Sequence, residues 1–259
     1  MTNTRAAFTR SHQLLAWSVH LFTATAACLG MLTLVAICQQ HYTQALWFMA
    51  GAVVIDAVDG TFARRVRVKS VLPNLDGALL DNIVDYLNYV ITPGFFLLMR
   101  PGMLPADFAV WIVMAIVVVS AYQFCQSDAK TPDHFFKGFP CYWNITVFYL
   151  YIFNTGMETN TLVLLTLCIL IFVPVKYVYP SRLDYLTDSR RLKWLMHAFS
   201  LIYGTSSLMV LWHFPGHDRG WLMVSIGYVV IYLALSIYRT CSPLLQNRFT
   251  MAKNHAPDS

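Results

Sequence analysis

Charge is scarce in this sequence. Only 12% of the residues are charged, against 57% hydrophobic, whereas charge in a soluble domain usually approaches about a quarter of the residues. That deficit excludes an ordinary water-soluble fold. Paired cysteines are also missing. Cys28, Cys38, Cys125, Cys141, Cys168 and Cys241 are scattered, form no C-x-x-C pair and fall mostly in apolar runs. Neither a disulfide framework nor a zinc site is expected, and small buried side chains are the ordinary reading. No linker, composition break or internal repeat divides the chain, so 1–259 is read as one membrane-embedded domain. No small-residue cleavage site follows the first apolar run, which is too long for a signal peptide and is expected to persist as a helix.

What the sequence has instead is a succession of apolar runs, each of about 18–25 residues and long enough to cross a bilayer as a helix. Eight spans are expected, at about 13–38, 44–66, 77–99, 104–125, 139–155, 159–179, 192–213 and 220–238. The fold class is therefore an all-α integral membrane protein. The basic residues test this count. With the N-terminus in the cytoplasm, Arg5, Arg10, Arg64, Arg65, Arg67, Lys69, Lys130, Lys137, Lys176, Arg182 and all later Lys and Arg except Arg219 fall on the cytoplasmic side. Only Arg100 and Arg219 fall outside. That asymmetry is the positive-inside pattern and predicts both termini in the cytoplasm. It also accounts for the net charge of +5 without a nucleic-acid partner. Anionic membrane lipids are natural neighbours for the basic loops.

The stretch from Asp56 to Asp85 carries the chemistry. Asp56 and Asp59 lie within the second span, and Asp81 and Asp85 within the third. Each carboxylate at membrane depth costs roughly 2.5–3.5 kcal/mol, so four cost on the order of 10 kcal/mol unless paired, solvated or used. Asp56 and Asp59 are three apart and share a helix face, which Gly60 and Ala63 continue with small side chains. Gly77, Asp81 and Asp85 are spaced by four and share another. Two antiparallel neighbours would present all four acids to one cytoplasm-facing cavity.

Arg64, the nearest cation, cannot balance four negative charges. Either some acids are protonated or divalent cations sit among them. All-oxygen ligands suit Mg²⁺ or Mn²⁺, which in turn favour diphosphate substrates. Gly60 and Gly77 would let a flat base or a diphosphate approach the backbone, and Arg64 could pair with a phosphate oxygen. Metal-assisted phosphoryl transfer at a membrane surface is the reading these residue types favour. An ion-coupled transporter is the competing class, but it would need charges accessible from both faces.

The stretch resembles the CDP-alcohol phosphotransferase family, whose signature is D-x-x-D-G-x-x-A-R, a spacer, then G-x-x-x-D-x-x-x-D. Asp56, Asp59, Gly60, Ala63 and Arg64, then Gly77, Asp81 and Asp85, fill it here. The spacer over residues 65–76 is longer than the family's usual one. A bacterial branch that condenses CDP-diacylglycerol directly with choline is similar in this long spacer, in having about eight spans, and in a stretch like FFKGFPCYWN at residues 135–144. The resemblance implies that Asp56, Asp59 and Asp81 bind the metals, and that Asp85 binds metal and acts as general base. It implies that Gly60, Ala63, Arg64 and Gly77 line the CDP-diacylglycerol site. It further implies a bacterial inner membrane, a cytoplasmic active site and a homodimer.

A choline acceptor would need no basic pocket, because a quaternary ammonium is held by aromatic faces. Tyr86, Tyr122, Phe139, Tyr142, Trp143 and Tyr177 are the candidates near the cytoplasmic ends, with Asn144 as a polar neighbour. Aromatic residues also belong at membrane interfaces for their own sake. A sister enzyme taking serine or a polyol phosphate is the alternative within the family.

Overall fold

The computed structural model describes residues 8–129, 131, 135–178, 189–216 and 218–254. Arg5, Lys130 and Arg182, used above in the sidedness argument, lie outside them. Helices dominate: α1 (Arg10–Cys38), α2 (Tyr42–Val66), α3 (Val68–Val71), α4 (Gly77–Tyr86), a π-helical turn (Leu87–Ile91), α5 (Thr92–Met99), α6 (Ala109–Cys125), α7 (Trp143–Ile152), α8 (Met157–Phe172), α9 (Arg190–His213) and α10 (Arg219–Asn254). Among the described residues four are long and apolar enough to cross a membrane: α1, α2, α9 and the Arg219–Cys241 part of α10. The apolar helices make this a multi-pass membrane protein of all-α type.

The chain divides into two compact units, Met1–Phe124 with Tyr142–Leu162, and Cys125–Cys141 with Val163–Ser259. In the first unit α1 and α2 form an antiparallel hairpin closed by a turn in which Gln40 takes a left-handed φ of 61°. Their register is fixed at both ends and in between. His12 Nε2 donates to the Val66 carbonyl at 2.9 Å, and Thr23 Oγ1 donates to Asp59 Oδ2 at 2.8 Å. Small side chains let the helices approach: Ala26, Ala52 and Val84 form one buried cluster, and Ala16 and Val19 pack on Val68 and Val71 in another. This is the packing expected where the solvent is lipid and close backbone contact supplies the attraction.

The expected third span is one helical run with a defect. Pro93 has no N–H to give the Tyr89 carbonyl, and its ring would crowd that carbonyl in a regular helix. The chain widens into the π-turn Leu87–Ile91 just before it, and the Thr92 hydroxyl donates to the Asn88 carbonyl at 3.0 Å. Asn88 in turn donates from Nδ2 to the Ala26 and Val84 carbonyls, each at 3.0 Å. Such turns concentrate at functional sites.

The fifth and sixth runs are shorter as helices than their hydropathy suggested. Pro140 precedes α7, and α8 stops at Phe172, just before Val173 and Pro174, where a pre-proline residue is driven out of helical geometry. Within the second unit Lys176–Val178 (β2), from the end of the expected sixth span, pairs antiparallel with Phe135–Lys137 (β1), just ahead of the fifth, with Phe136 opposite Tyr177. The ribbon is held to α10: Lys176 N–H donates to Thr240 Oγ1 at 2.8 Å, and Tyr232 Oη donates to the Val178 carbonyl at 3.0 Å. α9 and α10 meet through stacked Tyr203 and Tyr228 rings, 4.4 Å apart, and through Ser207 and Ser225 at 3.0 Å.

Gly138 closes the ribbon. Its φ is +81°, its N–H donates to the Val175 carbonyl, and a Cβ there would stand 2.1 Å from the Ile171 carbonyl oxygen. Gly138→Ala combines a left-handed strain of about 1–3 kcal/mol with a backbone clash. The thermal midpoint of the detergent-solubilised protein is expected to fall by about 5 °C or more; an unchanged midpoint would remove this glycine from the account.

Candidate functional site

The site is built by α1, α2 and the α4–α5 run, all in the first unit. Asp56 and Asp59 stand on the second half of α2, and Asp81 and Asp85 on α4. α4 starts at Gly77 because Asp76 caps it: Asp76 Oδ1 accepts from the N–H groups of Ala78 at 3.0 Å and Leu79 at 3.1 Å. That cap fixes the phase of the helix and turns Asp81 and Asp85, one turn apart, toward α2.

Three of the four carboxylates converge. Asp56, Asp81 and Asp85, all half-buried, each present one oxygen such that the three lie within 4.8 Å of one another. Ligands on opposite sides of a Mg²⁺ ion stand about 4.2 Å apart. The all-oxygen donor set thus fits a small hard cation with slight side-chain adjustment. Asp59 is not in this threesome. It points toward α1, is buried, and accepts the hydrogen bond from Thr23 already described.

Arg64, one turn beyond Gly60, is exposed and folds back along α2. Its Nη2 donates to Thr61 Oγ1 at 3.0 Å, and its Nη1 lies 3.2 Å from where a Gly60 Cβ would be. The guanidinium therefore lies over the backbone that Gly60 leaves bare. At the far end of the stripe, the Gly77–Asp81–Asp85 series continues one more turn to Tyr89. Its ring is buried and its Oη donates to Asp56 Oδ2 at 2.7 Å. Neither Tyr89 nor Thr23 figured in the sequence reading. The four-residue spacing was the signal for Tyr89; for Thr23 there was none, because it depends on the α1–α2 register.

The aromatic candidates separate. Tyr142 lies beside the site, with its ring centroid 6.1 Å from that of Tyr89. Tyr86 is tied to α6, donating from Oη to the Val117 carbonyl at 2.8 Å and packing edge-on to Phe124. Tyr122 is exposed. Trp143 has no exposed surface and donates from Nε1 to Ser120 Oγ at 2.8 Å, so its faces are covered by protein packing. Asn144 is buried, and its Oδ1 accepts from the neighbouring Ile145 N–H. Phe139 and Tyr177 pack edge to face on each other within the second unit, 6.4 Å apart.

Half-buried carboxylates converging from two apolar helices, with a basic mouth, define a lipid-embedded enzyme of phosphoryl-transfer type. A family model for CDP-alcohol phosphatidyltransferase matches residues 18–205, and the chain belongs to that family. It is similar to the phosphatidylcholine synthase of Legionella pneumophila, 64% identical over 243 residues covering 94% of this chain and 95% of that protein. The phosphatidylcholine synthase of Legionella bozemanae is 63% identical over 84% of this chain and all of its own length. That of Rhizobium meliloti is 34% identical over 84% of this chain and 87% of its own.

Tyr89 holds Oδ2 of Asp56, one of the three acids of the cluster. Outer hydrogen bonds of this kind commonly change metal affinity or activity by about 10–100-fold. Tyr89→Phe keeps the ring and removes the bond, so the Mn²⁺ concentration giving half-maximal activity is expected to rise by about tenfold or more, with the melting temperature nearly unchanged. An unaltered Mn²⁺ dependence would leave Tyr89 a packing residue only.

Proposed function

We propose that this chain is a phosphatidylcholine synthase, condensing CDP-diacylglycerol with choline to give phosphatidylcholine and CMP. The observation that carries the reading is the near full-length likeness to phosphatidylcholine synthase of Legionella pneumophila, 64% identical. The converging Asp56, Asp81 and Asp85 support the reaction type. The expected eight spans would set both termini and the basic ends of α1 and α2 in the cytoplasm of a bacterial inner membrane. The whole chain would then act as one catalytic domain, with α9 and α10 as additional helices or dimer contacts.

In this reading Asp56, Asp81 and Asp85 would hold Mn²⁺ or Mg²⁺, and Asp59 would join them on turning its carboxylate away from Thr23. When bound, the cation offsets the charge of the diphosphate and of the departing phosphate. The remaining roles fall to side chains. Gly60, Ala63 and Gly77 would line the nucleotide diphosphate site, Gly60 beneath Arg64 and Gly77 beneath His20, and Arg64 pairs with a phosphate oxygen at the mouth. Asp85 accepts the proton of the choline hydroxyl. The choline oxygen bonds to the phosphorus that carries diacylglycerol, and the bond from that phosphorus to the CMP oxygen breaks. Tyr142, beside Tyr89, is the aromatic face best placed for the trimethylammonium group, with Tyr86 and Tyr122 as further candidates in the same unit.

Purified protein given CDP-diacylglycerol, Mn²⁺ and labelled choline is expected to form labelled phosphatidylcholine. Chelation should abolish the product, and Asp85→Asn should reduce it by at least about 10²-fold. Incorporation of serine with choline ignored would transfer the reading to a sister enzyme. Product unaffected by chelation would remove the metal. Tyr142→Ala is expected to raise the choline KM about tenfold while the KM for CDP-diacylglycerol stays within about twofold. Equal changes in both would take Tyr142 out of the acceptor pocket.

A further inference from the structure

One buried polar atom beside the site has no protein partner. His20 on α1 is only 7% exposed, yet its Nε2 makes no hydrogen bond among the described residues. A buried ring nitrogen left in this state is costly enough that native structures rarely keep one without a ligand or an ordered water to meet it. Trp17 packs edge-on to the imidazole, with ring centroids 6.4 Å apart, and helps to hold it in place. One turn further along the same face of α1, Thr23 grips Asp59. This face is therefore turned toward the acidic helices.

The imidazole lies directly over Gly77. A Cβ on that residue would stand 2.8 Å from His20 Cε1, 3.6 Å from Nδ1 and 3.9 Å from Nε2. Gly77 is bare because the ring occupies the space a side chain would take. It opens α4, four residues before Asp81 and eight before Asp85. Eight residues of helix advance about 12 Å, so a group bound at Gly77 is well removed from the proton acceptor proposed at Asp85.

We propose that His20 is a binding residue for the nucleotide portion of the lipid donor, with Nε2 hydrogen-bonding to the cytidine monophosphate moiety. The inference rests on the phosphatidyl-transfer reading and adds a residue from α1 to it. Distance and chemistry select the nucleotide over the alcohol. Choline has one hydrogen-bonding group, its hydroxyl, and that must lie at Asp85 for transfer. Its trimethylammonium group carries no N–H and cannot satisfy an imidazole nitrogen. A nucleotide has oxygens, ring nitrogens and an amino group, and it extends from the diphosphate toward the Gly77 end. A neutral imidazole can donate or accept at Nε2 according to its tautomer, so either kind of nucleotide atom can complete the bond.

The test uses the full-length protein in detergent with Mn²⁺. Binding of labelled CMP is measured by equilibrium dialysis beside the KM values for CDP-diacylglycerol and choline and the thermal midpoint. His20→Ala is expected to weaken CMP binding and raise the KM for CDP-diacylglycerol about tenfold each, the loss of one good hydrogen bond. The choline KM should stay within about twofold. His20→Gln, which carries an amide nitrogen toward the Nε2 position, should recover most of the affinity, and His20→Leu should not. The Gln and Leu pair makes the same comparison if the alanine protein does not fold. CMP binding that is equal in wild type, His20→Gln and His20→Leu overturns the proposal and leaves the phosphatidyl-transfer reading standing. A lowered melting point with unchanged CMP affinity per folded molecule likewise overturns it. A wild-type protein that neither binds CMP nor makes phosphatidylcholine defeats the broader reading, and this inference with it.

Discussion

The structure around the site depends on one constraint: carboxylates placed inside apolar helices must be given to one another, to a hydroxyl or to a cation. Burying a carboxylate in hydrocarbon without such a partner costs several kcal/mol, and each acid here is met by a specific local solution. Asp59 receives the Thr23 hydroxyl and Asp56 receives that of Tyr89. The three oxygens of Asp56, Asp81 and Asp85 gather within 4.8 Å, where like charges favour a divalent ion between them. These solutions work only if α1, α2 and α4 approach closely in a fixed register. The alanines at the helix contacts, the His12 bond to the Val66 carbonyl and the Asp76 cap serve that end.

Much of this was legible in the residues alone. The three- and four-residue spacings of the acids and glycines placed them on helix faces, and short antiparallel connectivity placed those faces together. What the spacing could not supply was tertiary. Whether Asp59 would face the cluster or α1 depends on where Thr23 comes to lie, a matter of register between helices. Trp143 reads equally well as an interface aromatic and as a packing anchor until Ser120 is seen to accept its N–H. The lengths of chain near Pro140 and Pro174 carry the hydropathy of membrane spans, but Pro174 ends the sixth run early and its last residues pair with Phe135–Lys137, ahead of the fifth, in a short antiparallel ribbon. Hydropathy averages over a window and does not register such local backbone breaks.

Along α4 the site has a direction. Gly77, beneath His20, opens the helix, the paired acids follow, and Tyr89 closes the series where the π-turn widens the backbone ahead of Pro93. Gly60 lies beneath the Arg64 guanidinium and Gly77 beneath the His20 imidazole, polar groups that suit a nucleotide with its diphosphate. The Tyr89–Tyr142 pair gives the other end an aromatic character. A transferase that joins a lipid nucleotide to a small cationic alcohol needs this polarity, with the leaving group and the acceptor approaching the reacting phosphorus from opposite sides. Family membership fixes the reaction class; the asymmetry of the stripe is what the acceptor reading draws from the geometry of this chain.

The most direct measurement is anomalous diffraction from crystals grown with Mn²⁺ and CMP. The account predicts a manganese peak among the carboxylate oxygens of Asp56, Asp81 and Asp85, next to the phosphate of CMP. Manganese bound elsewhere, or CMP held with those three carboxylates turned away from it, would contradict the account at its centre.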